Sequence, residues 1–143
     1  MRTVTTERDG SYSERGLLGL ALSNTFALDH LVFALYSDTD YTHQRVVRWK
    51  DCAGTATDPA VIVTLPSGGD CCHKGGRLAV GPDNMLYVTL GDEHVASAAQ
   101  NAADVRGKIL RYTRDGGIPA DNPFGAGNPA WAYGLRNPFG IAF

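Results

Sequence analysis

Apolar residues along this chain fall into short runs, each closed by Gly, Pro, Asp or Asn, with no sustained 3.6-residue spacing. The pattern predicts short strands joined by turns rather than helices. The runs also repeat. "GLAL" at 19–22, "RLAV" at 77–80 and "GIAF" at 140–143 share one pattern, set 58 and then 63 residues apart. The first is followed by "HLVFALYSD" (30–38) and the second by "MLYVTLGD" (85–92). "RVVRWKD" (45–51) is matched by "KILRYTRD" (108–115), and "AVIVTLP" (60–66) by "AWAYGL" (130–135). Each unit is thus four short strands, and a third unit opens at the end of the sequence. Four antiparallel strands per repeat of this length predict an all-β fold built of β-propeller blades. A single β-sandwich also has short strands, but it does not require recurrence strand by strand. Two blades and the start of a third leave sheet faces uncovered, so the expectation is a partial domain over residues 1–143, truncated at both ends.

Equivalent positions in the units carry the candidate chemistry. Arg15, His73 and Arg136 each lie five residues ahead of the recurring inner-strand position. In a propeller the loop entering the innermost strand lies on the rim around the axis, so the three should converge on its mouth. Asp38 and Asp92, after the second strand of each unit, lie on the same rim. An imidazole, a carboxylate and a guanidinium gathered there suit acid–base chemistry on a ligand. Gly75 and Gly76 would allow a tight turn and close approach. The plainer readings are a solvated loop histidine, aspartates closing Asx turns and an arginine capping carbonyls.

Composition narrows the field. The chain has 143 residues, a formal charge of −2 and scattered charges, which argues against a nucleic-acid or anionic-membrane partner. The apolar run near the N-terminus is too short to span a membrane and lacks the flanks of a signal peptide. Adjacent Cys71 and Cys72 ahead of His73 do not have zinc-ligand spacing. The three cysteines allow a bridge between neighbours or one from Cys52 to either, and the sequence does not choose.

Four segments, "GLLGLAL" (16–22), "HKGGRLAVGPDNMLYVTLGD" (73–92), "RGKILRYTRDGGIPADNPF" (106–124) and "WAYGLRNPFGIAF" (131–143), together resemble the soluble quinoprotein glucose/sorbosone dehydrogenases, or PQQ-dependent aldose sugar dehydrogenases. The resemblance implies a six-bladed propeller that binds pyrroloquinoline quinone (PQQ) and calcium over its axis, in the periplasm or outside the cell. It implies an aldose substrate, oxidised at its anomeric hydroxyl to a lactone, and an external electron acceptor. His73 matches the general base, Asp92 the carboxylate that orients it, and Arg136 and Asn137 residues that contact the cofactor. Glu14 matches a residue lining the sugar pocket. Cys72 and Phe139 depart from the family pattern, where a polar residue and a Gln are frequent. The calcium ligands are expected outside this segment, and the segment alone is expected to be inactive. The rival expectations are a non-catalytic propeller that binds a protein or carbohydrate, and a metal-dependent propeller lactonase.

Overall fold

A computed structural model of the chain describes residues 12–68 and 71–143. β1 (Leu17–Leu22), β2 (Leu31–Ser37), β3 (His43–Cys52) and β4 (Thr55–Pro66) form one antiparallel sheet in chain order, with a one-turn helix α1 (Phe26–Asp29) between β1 and β2. β5 (Leu78–Val80), β6 (Leu86–Leu90), β7 (Lys108–Tyr112) and β8 (Ala130–Tyr133) form a second sheet of the same order, with α2 (Ala96–Gln100) between β6 and β7. Neither short helix follows from the sequence pattern.

The register reproduces the repeat. Phe33 faces Arg48 and Val32 faces Trp49 in the first sheet; Tyr87 faces Arg111 and Leu86 faces Tyr112 in the second. β3 and β4 run further than the sequence suggests, because Ala53 and Gly54 both take positive φ and close a tight hairpin. Residues 140–143 form no strand, since a ladder needs a neighbour and none of the described strands pairs with them. They pack instead on the second sheet, where the Phe143 and Tyr87 rings lie 4.8 Å apart.

Phe33, Leu35, Val46, Val63 and Leu65 of the first sheet share one buried cluster with Leu78, Leu86, Val88, Leu90, Leu110 and Tyr112 of the second. Every residue of β6 is buried, so the strand shows no alternation; its one polar side chain, Thr89, donates its hydroxyl to the Pro138 carbonyl at 2.9 Å. The two sheets come closest through their first strands. A Cβ on Gly19 of β1 would lie 2.6 Å from the Gly76 carbonyl oxygen, and Arg77 donates from Nη1 to the Leu18 carbonyl at 2.5 Å. Further out, Arg114 reaches across to Asp29 Oδ2 (2.7 Å) and Ser23 Oγ (2.8 Å). Two four-stranded meanders set side by side with their first strands adjacent are blades of a β-propeller. Leu17, Leu20 and Leu22 of β1 and Trp131 and Tyr133 of β8 remain exposed although apolar. No helix among the described residues is long and apolar enough to cross a membrane.

Candidate active site

The site forms where the loop ahead of β5 meets the loop after β6. His73, Gly75 and Gly76 all take positive φ, so the first loop coils tightly before β5 begins. It lies against Gly91 with no room for side chains: a Cβ there would fall 1.9 Å from the His73 carbonyl oxygen, and one on Gly75 would fall 2.8 Å from the Gly91 nitrogen. That backbone-on-backbone contact brings two side chains together. His73 Nδ1 lies 2.7 Å from Asp92 Oδ1, and both residues are buried. An ionised carboxylate only accepts, so Nδ1 carries the proton and the lone pair of neutral His73 sits on Nε2. Asp92 Oδ1 also accepts the His94 main-chain N–H at 3.0 Å, and the Asp92 N–H is held by the Arg136 carbonyl at 2.8 Å.

A second bridge runs one residue further along both loops. Lys74 Nζ pairs with Glu93 Oε1 at 2.9 Å, and both side chains are essentially inaccessible. Lys74 also donates to the Gly68 carbonyl at 3.0 Å, Glu93 accepts from the Gly68 N–H, and Gln44 Nε2 donates to the Lys74 carbonyl at 3.0 Å. The loops around His73 and Asp92 are thus tied to each other and to the first sheet.

Glu14 and Asn137 clamp the same loop. Glu14 Oε2 accepts from the Lys74 N–H (3.3 Å) and from Asn137 Nδ2 (3.1 Å), while Asn137 Oδ1 accepts from the Gly75 N–H (3.0 Å). Residues 123 apart in sequence therefore meet beside His73. Arg136 joins through its carbonyl. Its guanidinium is exposed and forms no hydrogen bond or ion pair among the described residues. Among the described residues, Asp38 binds Arg45 of the first sheet, while Arg15 reaches the Gly68 carbonyl that also binds Lys74. Arg15 donates to the carbonyls of Tyr41 (3.2 Å) and Gly68 (2.9 Å). Asp38 binds Arg45 Nε, which holds its carboxyl below the usual carboxylate range against a burial effect that would raise it.

Cys71 and Cys72 form a disulfide with each other, and Cys52 is free and exposed. The pairing left open by the sequence is thus between neighbours. Three residues at the site escape sequence reasoning: Lys74, Glu93 and His94. Glu93 and His94 both take positive φ (52° and 64°) in a turn closed by Val95 N–H to the Asp92 carbonyl at 2.9 Å. Two non-glycine residues in that region are unusual, and they bring His94 Nε2 to 3.2 Å from His73 Nε2. Nothing in the sequence pattern marks this turn, because neither Glu nor His favours positive φ.

A buried histidine–carboxylate pair at the rim of two propeller blades is chemically able to take up a proton from a ligand. The chain belongs to the glucose/sorbosone dehydrogenase family, whose model matches residues 4–143. It is 32% identical to aldose sugar dehydrogenase YliI of Escherichia coli (strain K12) over 92% of this chain and 38% of that protein. It is 29% identical to quinoprotein glucose dehydrogenase B of Acinetobacter calcoaceticus over 98% of this chain and 35% of that protein. Among solved structures, the PQQ-bound aldose sugar dehydrogenase of Streptomyces coelicolor superposes with a TM-score of 0.76 at 35% identity, over 94% of this chain and 40% of that one. A putative glucose dehydrogenase of Thermus thermophilus gives 0.84 at 37% identity, over 93% and 42%. The chain therefore spans about two fifths of the length of these relatives.

Proposed function

We propose that the chain is part of a longer β-propeller oxidoreductase that oxidises the anomeric hydroxyl of aldose sugars to lactones, with PQQ as cofactor. The observation that carries this reading is the buried His73–Asp92 pair at 2.7 Å. His73 Nε2 takes the proton of the sugar hydroxyl, and Asp92 holds the proton on Nδ1 and steadies the imidazolium. When bound, the quinone supplies the acceptor for the hydride that leaves the same carbon. The donor set fits such a group: the Arg136 carbonyl holds the Asp92 N–H, its guanidinium is exposed without a carboxylate partner among the described residues, and a quinone carrying carboxylates would complement it. Asn137 and Glu14 hold the His73 loop in shape, and any contact they make with cofactor or sugar would use their remaining hydrogen-bonding capacity.

Calcium belongs to the same proposal. No group of three His, Cys, Asp or Glu side chains among the described residues is placed to hold a metal, so its donors would be main-chain carbonyls or residues elsewhere. The exposed leucines of β1 and aromatics of β8 would be covered by further blades. A periplasmic or extracellular location is supported by the family and by a disulfide, which persists in oxidising compartments. The electron acceptor would be external, and the isolated segment inactive.

The test is to reconstitute the full-length protein with PQQ and calcium and follow dye reduction by a panel of aldoses. No reduction with any aldose, and no quinone absorbance retained, sinks the proposal. His73→Gln is expected to abolish turnover while cofactor binding survives.

A further inference from the structure

His73 sits at φ 56°, a backbone conformation uncommon for any residue but glycine, so its surroundings must impose it. Downstream, the Lys74 N–H is held by Glu14, the Gly75 N–H by Asn137 and the Gly76 N–H by the Thr89 carbonyl at 2.9 Å. Upstream stand the Glu14 N–H, which donates to the Cys71 carbonyl at 2.9 Å, and the disulfide that joins Cys71 to Cys72. Glu14 therefore grips the chain on both sides of His73, with its main-chain N–H at Cys71 and its carboxylate at Lys74. Between those two points the backbone turns only about φ and ψ of residues 72 and 73. The disulfide closes a ring through the peptide bond between the cysteines, and φ of Cys72 is one of the torsions in that ring. A short segment held at both ends and deprived of one torsion cannot relax, so the imidazole stays on Asp92. The bridge has little else to do. It joins neighbours and closes no loop of chain, so it constrains the unfolded state hardly at all. Both cysteines are only half-buried, so a small thiol can reach them.

We infer that the Cys71–Cys72 bridge is a reducible latch on the base: oxidised, it keeps His73 against Asp92, and reduced, it lets the loop relax and the imidazole leave. The consequence for catalysis rests on the proposed role of His73. Opening the latch takes a dithiol reductant. One of its thiolates attacks a cysteine sulfur and the S–S bond breaks; its second thiol then closes on the first and frees the protein. Both electrons and both protons come from the dithiol, which leaves as a cyclic disulfide, and the two cysteines end as thiols. With φ of Cys72 released, His73 returns toward negative φ and Nδ1 no longer meets Asp92 Oδ1. Cys71 and Cys72 are thus positioning residues, acting on the chemistry only through His73.

The experiment uses the full-length protein, reduced with dithiothreitol, freed of reductant under exclusion of oxygen, and only then loaded with PQQ and calcium. Reduction is expected to expose two more thiols in the wild-type protein than in the Cys71→Ser, Cys72→Ser double variant. The kcat of aldose-dependent dye reduction is expected to fall about tenfold or more, as for a displaced reacting group, with KM for the sugar within about threefold and a cooperative thermal melt. Oxidised glutathione should restore it. The double variant should begin at the low kcat and ignore dithiothreitol, and Cys52→Ser should respond like wild type. The cofactor-free protein gives a reading in which activity plays no part: the downfield proton resonance of His73 Nδ1–H, on its bond to Asp92, should vanish or broaden on reduction and return on oxidation. A bridge that dithiothreitol does not open in the folded protein overturns the latch. So does an unchanged resonance, or an unchanged kcat in the reduced protein or the double variant. If the resonance responds but the oxidised protein turns over no aldose, the proposed function fails and the latch stands without it.

Discussion

Gly91→Ala puts the least possible material into the joint on which the site depends. The added Cβ would sit 1.9 Å from the His73 carbonyl oxygen, 2.4 Å from its carbon and 3.2 Å from the Arg136 carbonyl oxygen. Ordinary contact begins near 3.4 Å, so the two loops must part by roughly 1.5 Å. The Gly91 side cannot easily supply that movement, because the Gly107 N–H holds the Gly91 carbonyl (3.0 Å) and the Arg136 carbonyl holds the Asp92 N–H (2.8 Å). The shift falls on His73 and stretches its 2.7 Å bond to Asp92 to about 4 Å, beyond hydrogen bonding. The stability cost of such overpacking is about 1–3 kcal/mol, which a folded propeller survives. The catalytic cost is larger, since displacing a reacting group by an ångström costs on the order of 100-fold. The assay is the kcat of aldose-dependent dye reduction by the loaded full-length protein, alongside a thermal melt and near-ultraviolet circular dichroism. A Gly91→Ala enzyme with native circular dichroism and kcat within about fivefold of wild type would refute the reasoning: the loops would then not depend on glycine to present the dyad.

Other perturbations read other parts of the molecule. Lys74→Met strands Glu93 in a site with essentially no solvent access, at a cost of about 3–5 kcal/mol in chemical denaturation; the double change with Glu93→Leu should recover most of it, and additive losses would show the pair is not coupled. Lys108→Met leaves the carbonyls of Ala98, Ala99 and Arg106 without the ammonium that bonds them at 2.9, 3.1 and 2.7 Å, and is expected to lower stability by about 2–4 kcal/mol in the same assay. Burial tends to raise the Asp83 carboxyl, but the Met85 N–H, the Tyr87 hydroxyl and Arg111 outweigh it and hold the group below the usual carboxylate range. Its stabilisation is therefore complete above the unfolded-state value near ~4 and disappears as pH falls through the lower folded value, so Asp83→Asn should flatten the acid limb of stability against pH; an unchanged limb would remove that attribution. Without reductant, the denatured segment should titrate one thiol and afterwards three; three thiols at the start would rule out the Cys71–Cys72 bridge.

The repeat was legible because strand pairing reads a period directly. Arg48 beside Trp49 and Arg111 beside Tyr112 occupy matching rungs, and the ladder sets them opposite Phe33 and Val32, and Tyr87 and Leu86. Position along a repeat also placed His73 and Asp92 on one rim, because loops at the same end of successive strands cannot be far apart. It did not determine how far apart they lie. That distance is decided by Gly75 and Gly91 touching main chain to main chain, and a glycine in sequence does not say what approaches it. The same limit explains Arg15 and Asp38, which occupy matching positions but bind the Gly68 carbonyl and Arg45. Equivalent places in a repeat share a backbone and not a partner.

The two cross-loop bridges, one above the other, have a consequence for how the site evolves and fails. His73 with Asp92 and Lys74 with Glu93 use consecutive residues on the same two loops, so neither pair can slip by one residue without destroying the other. A slip that brought Lys74 to Asp92 would preserve an ion pair at the mouth but remove the base and leave Glu93 buried and unpaired. The Lys74–Glu93 pair thus fixes the register of the His73–Asp92 pair, a use of buried charge that is independent of net stability. Replacing both members by apolar residues should therefore keep the fold and even the melting temperature, yet loosen the His73–Asp92 contact and lower kcat. A double Lys74→Met, Glu93→Leu protein with unaltered kcat would confine the pair to the role of filling space.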